Sequence, residues 1–392
     1  MNKRKIWQIP LLREEGDKGL HRSVTWLELF FDLFFVAVIG SLTHDLSENI
    51  SILGIKKFVI GFIPIWWVWI GATIYNERFE TEGIENRIFT FLLMIPVAGL
   101  AVFSRNAIGE HLKFFLFSYM IARIIIIFLW ARAGFHNKAF RPTSNTYIVG
   151  FSISVILVLT GALLDSSVSL VLFPIALIID LSTPYFTIKH QKKLPRYTTS
   201  KLPERIGLFT IIVLGEMVIG LIGGLSHHEH FSFSMIPLGI MGIATALGFW
   251  WLYFDFIARR HFHPKVGITI LWVNTHMPLV MTFVLVGASL YNLAAHASHP
   301  SEIALVFHLV IIGIALVLIG LLELTLERKD KEPTHPIFSP GLKFLIGIVG
   351  ICLGVFKIFH SVEIVMLFGI ILIIINIIYG AYIWFSQEIE DE

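Results

Sequence analysis

Twelve long apolar runs, separated by short stretches that carry charge, Pro or Asn, constrain this 392-residue chain more than any other feature. They lie near 25–46, 58–76, 87–105, 112–133, 146–164, 168–188, 205–225, 234–257, 267–292, 303–325, 341–358 and 362–385. An α-helix needs about 20 apolar residues to cross the hydrocarbon core of a bilayer. Inside that core a backbone must satisfy its own hydrogen bonds, so each run is expected to be helical. Twelve spans would use about 240 residues and leave about 150 for loops and tails, which permits a protein with no sizeable soluble domain. The composition agrees, at 56% hydrophobic and 15% charged residues, where soluble domains run near 45–50% and 25%. The expected fold class is an all-α polytopic membrane protein of about twelve transmembrane helices.

Several function classes fall away. A net charge of +2 from 30 basic and 28 acidic residues, with no dense basic tract, argues against nucleic acid as a partner. Cys352 is the only cysteine, so neither a disulfide framework nor a CxxC site is possible within the chain. No HExxH, GxSxG, P-loop or Rossmann fingerprint is present, so an enzyme is not expected, nor a cofactor. His227-His228-Glu229-His230 reads as a solvated loop in preference to a metal site. The first two dozen residues mix Lys3, Arg4, Lys5, Arg13, Lys18 and Arg22 with acids and lack the apolar core of a cleaved signal peptide. Ile6, Trp7, Ile9, Leu11 and Leu12 would let this tail rest on lipid headgroups, the plainer alternative being a cytosolic tail.

Counting Lys and Arg between the runs gives 24 on one face and 5 on the other, with Arg123 left inside a span. The positive-inside rule then places both termini in the cytoplasm, which an even number of spans satisfies. The halves also resemble one another. Leu29-Phe30 matches Leu208-Phe209, Trp66-Trp67-Val68-Trp69 matches Trp250-Trp251-Leu252-Tyr253, and Met94-Ile95-Pro96-Val97 matches His276-Met277-Pro278-Leu279. The near-constant offsets point to two parallel six-helix repeats. The expected organisation is a cytoplasmic tail (1–24), a first repeat (25–188), a basic linker (189–204), a second repeat (205–385) and an acidic tail (386–392).

Ionisable residues at membrane depth are costly, so each is a candidate site with a structural rival. Glu28 and Asp32 are four apart and share a helix face. Either they share a proton or hold a cation, or Glu28 reaches water or Arg22 while Asp32 pairs with a base. Glu216 lies eleven residues beyond Arg205, about 16 Å along a helix. Arg123 sits at similar depth and is its natural partner, a fixed countercharge because arginine stays protonated. Asp180 adds another acid, and Pro184 four residues later should loosen its helix. Four acids against Arg123 favour a protonated or cation-loaded site. His276 could relay protons or simply satisfy a hydrogen bond. Asp255 with Arg259 reads as a structural i,i+4 pair, and Gly347, Gly350 and Gly354 as close helix packing.

The run Thr25-Trp26-Leu27-Glu28-Leu29-Phe30-Phe31-Asp32-Leu33-Phe34-Phe35-Val36, with Glu204-Arg205 through Leu214-Gly215-Glu216, resembles the bacterial low temperature requirement protein A family over nearly the whole chain. The resemblance implies a multi-span inner-membrane protein associated with growth in the cold, of unestablished activity. Its characteristic acids fall on Glu28, Asp32, Glu204 and Glu216. It also implies a His three residues before the Glu-Arg pair, where this chain has Lys201. Arg22 and Phe31-Asp32 are similar, without the Ser, to the first span of lysosomal and bacterial proton and potassium channels built on six-span repeats. No pore residue is carried across. The expected function is a cation- or proton-coupled transporter of an unknown small solute or cation (proton, sodium or potassium), with Asp32 and Glu216 facing each other and membrane lipid as surroundings. The alternatives are an ion channel, a structural or regulatory membrane protein, and an enzyme acting on lipid-linked substrates.

Overall fold

The computed structural model describes residues 6–12, 24–48, 50–79, 83–105, 107, 109–195, 201–228, 232–233, 235–327, 335 and 337–386. Twelve helices among them are long and apolar enough to cross a membrane, one for each run. They are α1 (Trp26–Glu48), α2 (Ile52–Phe79), α3 (Ile84–Ser104), α4 (Leu112–His136), α5 (Arg141–Leu163) and α6 (Ser166–Phe186). A single turn, α7 (Ile188–Gln191), precedes α8 (Lys201–Ser226), α9 (Met235–Tyr253), α10 (Val266–Ala295), α11 (Glu302–Glu323), α12 (Phe338–Val355) and α13 (Val362–Ser386). The only extended pairing among the described residues is an isolated bridge between Phe262 and Leu326. The chain is a multi-pass membrane protein. The one substantial boundary shift is α2, which begins at Ile52 because Lys56 and Lys57 continue its first turns into the headgroup region.

Local signals explain the helix ends. Thr25 and Glu28 form a capping box: the Thr25 N–H donates to Glu28 Oε2 at 2.9 Å, and the Glu28 N–H donates to Thr25 Oγ1 at 3.3 Å. Ser301 caps α11 by accepting from the Ala304 N–H at 3.2 Å. Pro184 denies the Asp180 carbonyl its helical donor, and α6 stops two residues later. The last turn of the span begun by α9 is π-helical over Phe254–Ala258, yet Arg259 still reaches Asp255 at 3.1 Å, the surface pair expected.

The residues cluster into two compact units. The first takes Met1–Leu42, Lys56–Ile206 and Pro264–Ile270, and the second takes Thr43–Ile55, Gly207–His263 and Leu271–Glu392. Within the first, α3, α4, α5 and α6 pack in sequence order, each on the next. Within the second, α11 packs on α12 and α13, and α13 on α9. Glycines set the closest approaches in the second unit. A Cβ on Gly347 would lie 2.6 Å from the Gly313 carbonyl oxygen of α11, and one on Gly354 would lie 2.9 Å from that of Val306. The Gly347/Gly350/Gly354 stripe is therefore a packing surface, as read from the sequence. Gly287 of α10 meets the Met217 Cα of α8 in the same way, at 2.9 Å. Asn292, one turn further along α10, donates to the Ser47 and Glu48 carbonyls at 2.9 and 3.1 Å and so closes the C-terminus of α1.

Candidate functional site

Two clusters of buried charge in the first unit hold four of its sequence candidates and their partners. In one, Arg205 from the first turns of α8 reaches both acids of α1. Its Nη1 donates to Glu28 Oε1 at 2.6 Å and its Nη2 to Asp32 Oδ1 at 3.4 Å. Lys201, one turn before it, lies 3.7 Å from Glu28 Oε1. Trp69 of α2 donates its indole N–H to Asp32 Oδ1 at 2.7 Å. All five side chains are buried, Asp32 completely. Asp32 Oδ1 thus accepts two hydrogen bonds, while Asp32 Oδ2 has no partner among the described residues.

In the other cluster, Arg123 of α4 donates to Asp180 Oδ1 of α6 at 2.9 Å, and the Tyr119 hydroxyl donates to Asp180 Oδ2. The Phe151 ring of α5 lies 4.1 Å from the guanidinium, a cation–π contact between two buried side chains. Arg123 Nε and Nη1 have no partner among the described residues. Helix α2 passes both clusters: Trp69 faces Asp32, and a Cβ on Gly71 would meet Arg123 Nη1 at 3.7 Å.

These contacts correct three sequence expectations. Arg123 was paired with Glu216 by depth, but its carboxylate is that of Asp180. Lys201 and Arg205 were counted as interfacial charges, but both fold inward against α1, so the acids are not opposed by Arg123 alone. The reason is electrostatic: an unpaired carboxylate at this depth costs several kcal/mol, which a cation on a neighbouring helix offsets. Asp32 thus has a basic partner in Arg205, as one of the two sequence alternatives has it. For Glu28 the suggested partner Arg22 lies outside the described residues.

The remaining sequence candidates lie in the second unit. Glu216, half-buried in mid-α8, has no hydrogen bond or ion pair among the described residues. His276 is fully buried on α10, its Nδ1 bonded to the Trp272 carbonyl of its own helix at 2.8 Å and its ring against Trp272 and Tyr253. That is the hydrogen-bonding alternative, and Nε2 meets no partner among the described residues. His228 bonds the Ala294 carbonyl at 2.9 Å, while Glu229 and His230 lie outside the described residues. No group of three metal-capable side chains forms among the described residues.

Sequence reasoning passed over an ion pair in this unit. Lys343 of α12 donates to Glu323 Oε1 of α11 and to Ser339 Oγ, both at 3.0 Å, and sits 3.8 Å from the Phe256 ring centroid. It is fully buried, although its position at a run's edge read as cytoplasmic. Its one available signal is the i,i+4 spacing from Ser339, which is weak. The Ser289–His308 contact, 2.7 Å between α10 and α11, was also missed.

A small cavity in the first unit opens beside Glu28 and Arg205 and is walled by Tyr75, Asn76, Glu85 and Arg132, among others. Its free volume of about 20 Å³ admits a water molecule or a small cation and no organic solute.

The family model for the bacterial low temperature requirement A protein (LtrA) matches residues 23–383. The chain belongs to the LtrA family. An uncharacterized protein of Rhizobium meliloti (strain 1021) is similar to it, 28% identical over 302 residues that span 70% of each chain. No solved structure matches it. Of the positions that the LtrA resemblance singled out, Glu28 and Asp32 are buried together. Glu204 is exposed, and its neighbour Arg205 is the buried member of that pair. Lys201, where the resemblance implies a His, puts a cationic group beside Glu28.

Proposed function

We propose that this multi-pass protein is a cation- or proton-coupled transporter of the inner membrane, with Asp32 as the coupling carboxylate. The observation that carries this reading is Asp32 Oδ2, a fully buried carboxylate oxygen with no partner among the described residues. A structural ion pair would use both oxygens, because a buried acceptor left open costs about 1–3 kcal/mol. An open oxygen beside a paired one can take up a proton, sodium or potassium and return it. Arg205 and Trp69 hold the carboxylate in place through Oδ1. Glu28, tied into the capping box and to Arg205, has a structural duty, and Arg123 is the countercharge of Asp180. Glu216, lacking a partner at mid-span, is the second candidate acid, and His276 is kept as a relay candidate. The solute is unknown.

A parallel six-helix repeat and cytoplasmic termini complete the reading. The aromatic tetrads support the repeat: Trp69 ends the first and bonds Asp32 of α1, while Tyr253 ends the second and is hydrogen-bonded to Thr210 of α8. The charge bias supports the orientation, since setting aside the buried Arg78, Lys201, Arg205 and Lys343 leaves 20 basic residues against 5.

Purified protein in proteoliposomes should show flux driven by a pH, sodium or potassium gradient, and Asp32→Asn should abolish it. Absence of gradient-dependent flux across a broad solute panel, with Asp32→Asn and Glu216→Gln still supporting growth in the cold, would overturn the reading. The Arg123–Asp180–Tyr119 cluster, closed on itself through Asp180, favours a second reading, a structural or regulatory membrane protein. In that case neutralising Arg123 and Asp180 together is tolerated better than neutralising either alone.

A further inference from the structure

Residues 6–12 run extended along the first unit, and their backbone polar groups are taken up at every second position by the ends of α3 and α4. The Ile6 carbonyl accepts from the Ile84 N–H at 3.0 Å, which satisfies one of the open donors at the start of α3. The Gln8 N–H donates to Glu85 Oε2 at 3.1 Å, and the Gln8 carbonyl accepts from Arg132 Nη2. The Pro10 carbonyl accepts from Asn137 Nδ2 at 2.6 Å, and the Leu12 N–H donates to Asn137 Oδ1 at 3.3 Å.

Extended chain sends alternate side chains to opposite faces. From Trp7 on the alternation holds: Pro10 is buried and Gln8 and Leu12 are partly buried, whereas Trp7, Ile9 and Leu11 are 52%, 48% and 69% exposed, and Ile6, at the start of the segment, is exposed as well. The outward row is therefore wholly apolar, which is a poor surface for water and a good one for lipid. It adjoins Ile84, an exposed residue of the membrane-crossing helix α3 that is bonded to Ile6, so the row continues a lipid-facing surface. Lys3, Arg4 and Lys5 precede it in sequence and suit anionic headgroups. The half-exposed Trp7 also ties the segment to the cavity wall. Trp7 packs edge-on against Phe89 with ring centroids 6.2 Å apart, and the Arg132 guanidinium lies 5.4 Å from the Trp7 ring centroid. Glu85, Phe89 and Arg132 hold this segment and also wall the cavity beside Glu28 and Arg205.

We propose that residues 6–12 form a strap seated in the headgroup layer, with Trp7, Ile9 and Leu11 in lipid, and that this seat keeps the cavity rim closed. Release of the strap frees Glu85 and Arg132 and widens the way to Glu28 and Asp32. As regulation of transport the proposal rests on the reading above, whereas its geometry does not.

The test uses the full chain in phosphatidylcholine–phosphatidylglycerol nanodiscs, which leave both faces open to reagent, with Cys352→Ser removing the native thiol. A nitrobenzoxadiazole dye on Ile9→Cys should be quenched by lipids that carry a nitroxide near the headgroup, and an unquenched dye overturns the lipid seat. A hydrophilic maleimide should label Thr90→Cys, on the cavity wall, slowly in the intact chain. The rate should rise about tenfold, a shift of roughly 1.4 kcal/mol, when Trp7, Ile9 and Leu11 are all changed to Asp or when residues 1–12 are deleted. Trp7→Phe should keep the slow rate. An unchanged rate in both disrupting variants, or a parallel rise at the buried control Ala162→Cys, overturns the closure. Labelling needs no transported solute, so a responsive rate with no flux faults the transport reading and leaves the strap standing.

Discussion

Arg205 is the residue on which the first cluster depends. It faces two buried carboxylates at once, so its removal leaves both without their main countercharge. Arg205→Met is expected to destabilise the detergent-purified protein by about 3–5 kcal/mol, read as a large fall in thermal midpoint. Adding Glu28→Gln and Asp32→Asn to that background should restore part of the loss, because the stranded charges disappear with their partner. A triple variant less stable than the single one would show that the acids are held by something other than Arg205. Trp69→Phe is the gentler probe: it keeps an aromatic side chain, though a smaller one, and deletes one donor to Asp32, for an expected cost of about 1–3 kcal/mol from the lost hydrogen bond. Coupled flux should fall with it, since the carboxylate loses the group that orients it. Neither partner was legible beforehand. Arg205 is 173 residues from Asp32 in the chain, and hydropathy scores a cation at a helix end identically whether it reaches out to water or folds in against another helix.

At the scale of elements, close packing by glycine separates residues that look alike in sequence. Gly347 and Gly341 both lie in α12, but a Cβ on the first would press on the Gly313 carbonyl at 2.6 Å, while one on the second meets nothing within 4 Å. Gly347→Val should therefore force α11 and α12 apart at a cost of about 1–3 kcal/mol, whereas Gly341→Ala should be neutral. Differential scanning in detergent distinguishes the two, and equal midpoints would show that the helices are not in this register. Gly347 adjoins Gly350 and Gly354, whose GxxxG spacing announced this surface. The α8–α10 approach has the same spacing in Gly220 and Gly224 of α8, where a Cβ would press on the Gly287 and Tyr291 carbonyls of α10, but that pair went unread. The cap that Asn292 places on α1 belongs to the same class, a polar contact between helices far apart in sequence.

For the whole molecule, the proposed orientation puts both termini in the cytoplasm, which twelve spans and the charge bias support. Short epitope tags at the two ends should resist protease in right-side-out vesicles and be removed together in inverted ones. Cleavage of one tag alone in either preparation would overturn the even count or the orientation. The two units do not divide the chain at one point, for α1, α2, α8 and α10 each carry residues of both. A boundary drawn between residues 188 and 205 follows the sequence order of the expected repeats. Contacts among residues follow another division, because long helices outrun the unit in which they begin.

The run lengths, the helical class and the family were all legible in the chain, because lipid imposes a local rule on every segment that crosses it. Each run had to be apolar, about one bilayer long and hydrogen-bonded within itself, so one-dimensional reading suffices. Which charge neutralises which obeys no local rule. Arg123 takes Asp180, Arg205 takes Glu28 and Asp32, and Lys343 takes Glu323, and each pairing depends on how helices 20 to 177 residues apart are brought side by side. Coulomb attraction in a low-dielectric interior makes those pairings strong once the helices meet, but their meeting is set by packing, and packing is not written in the order of residues along any one span.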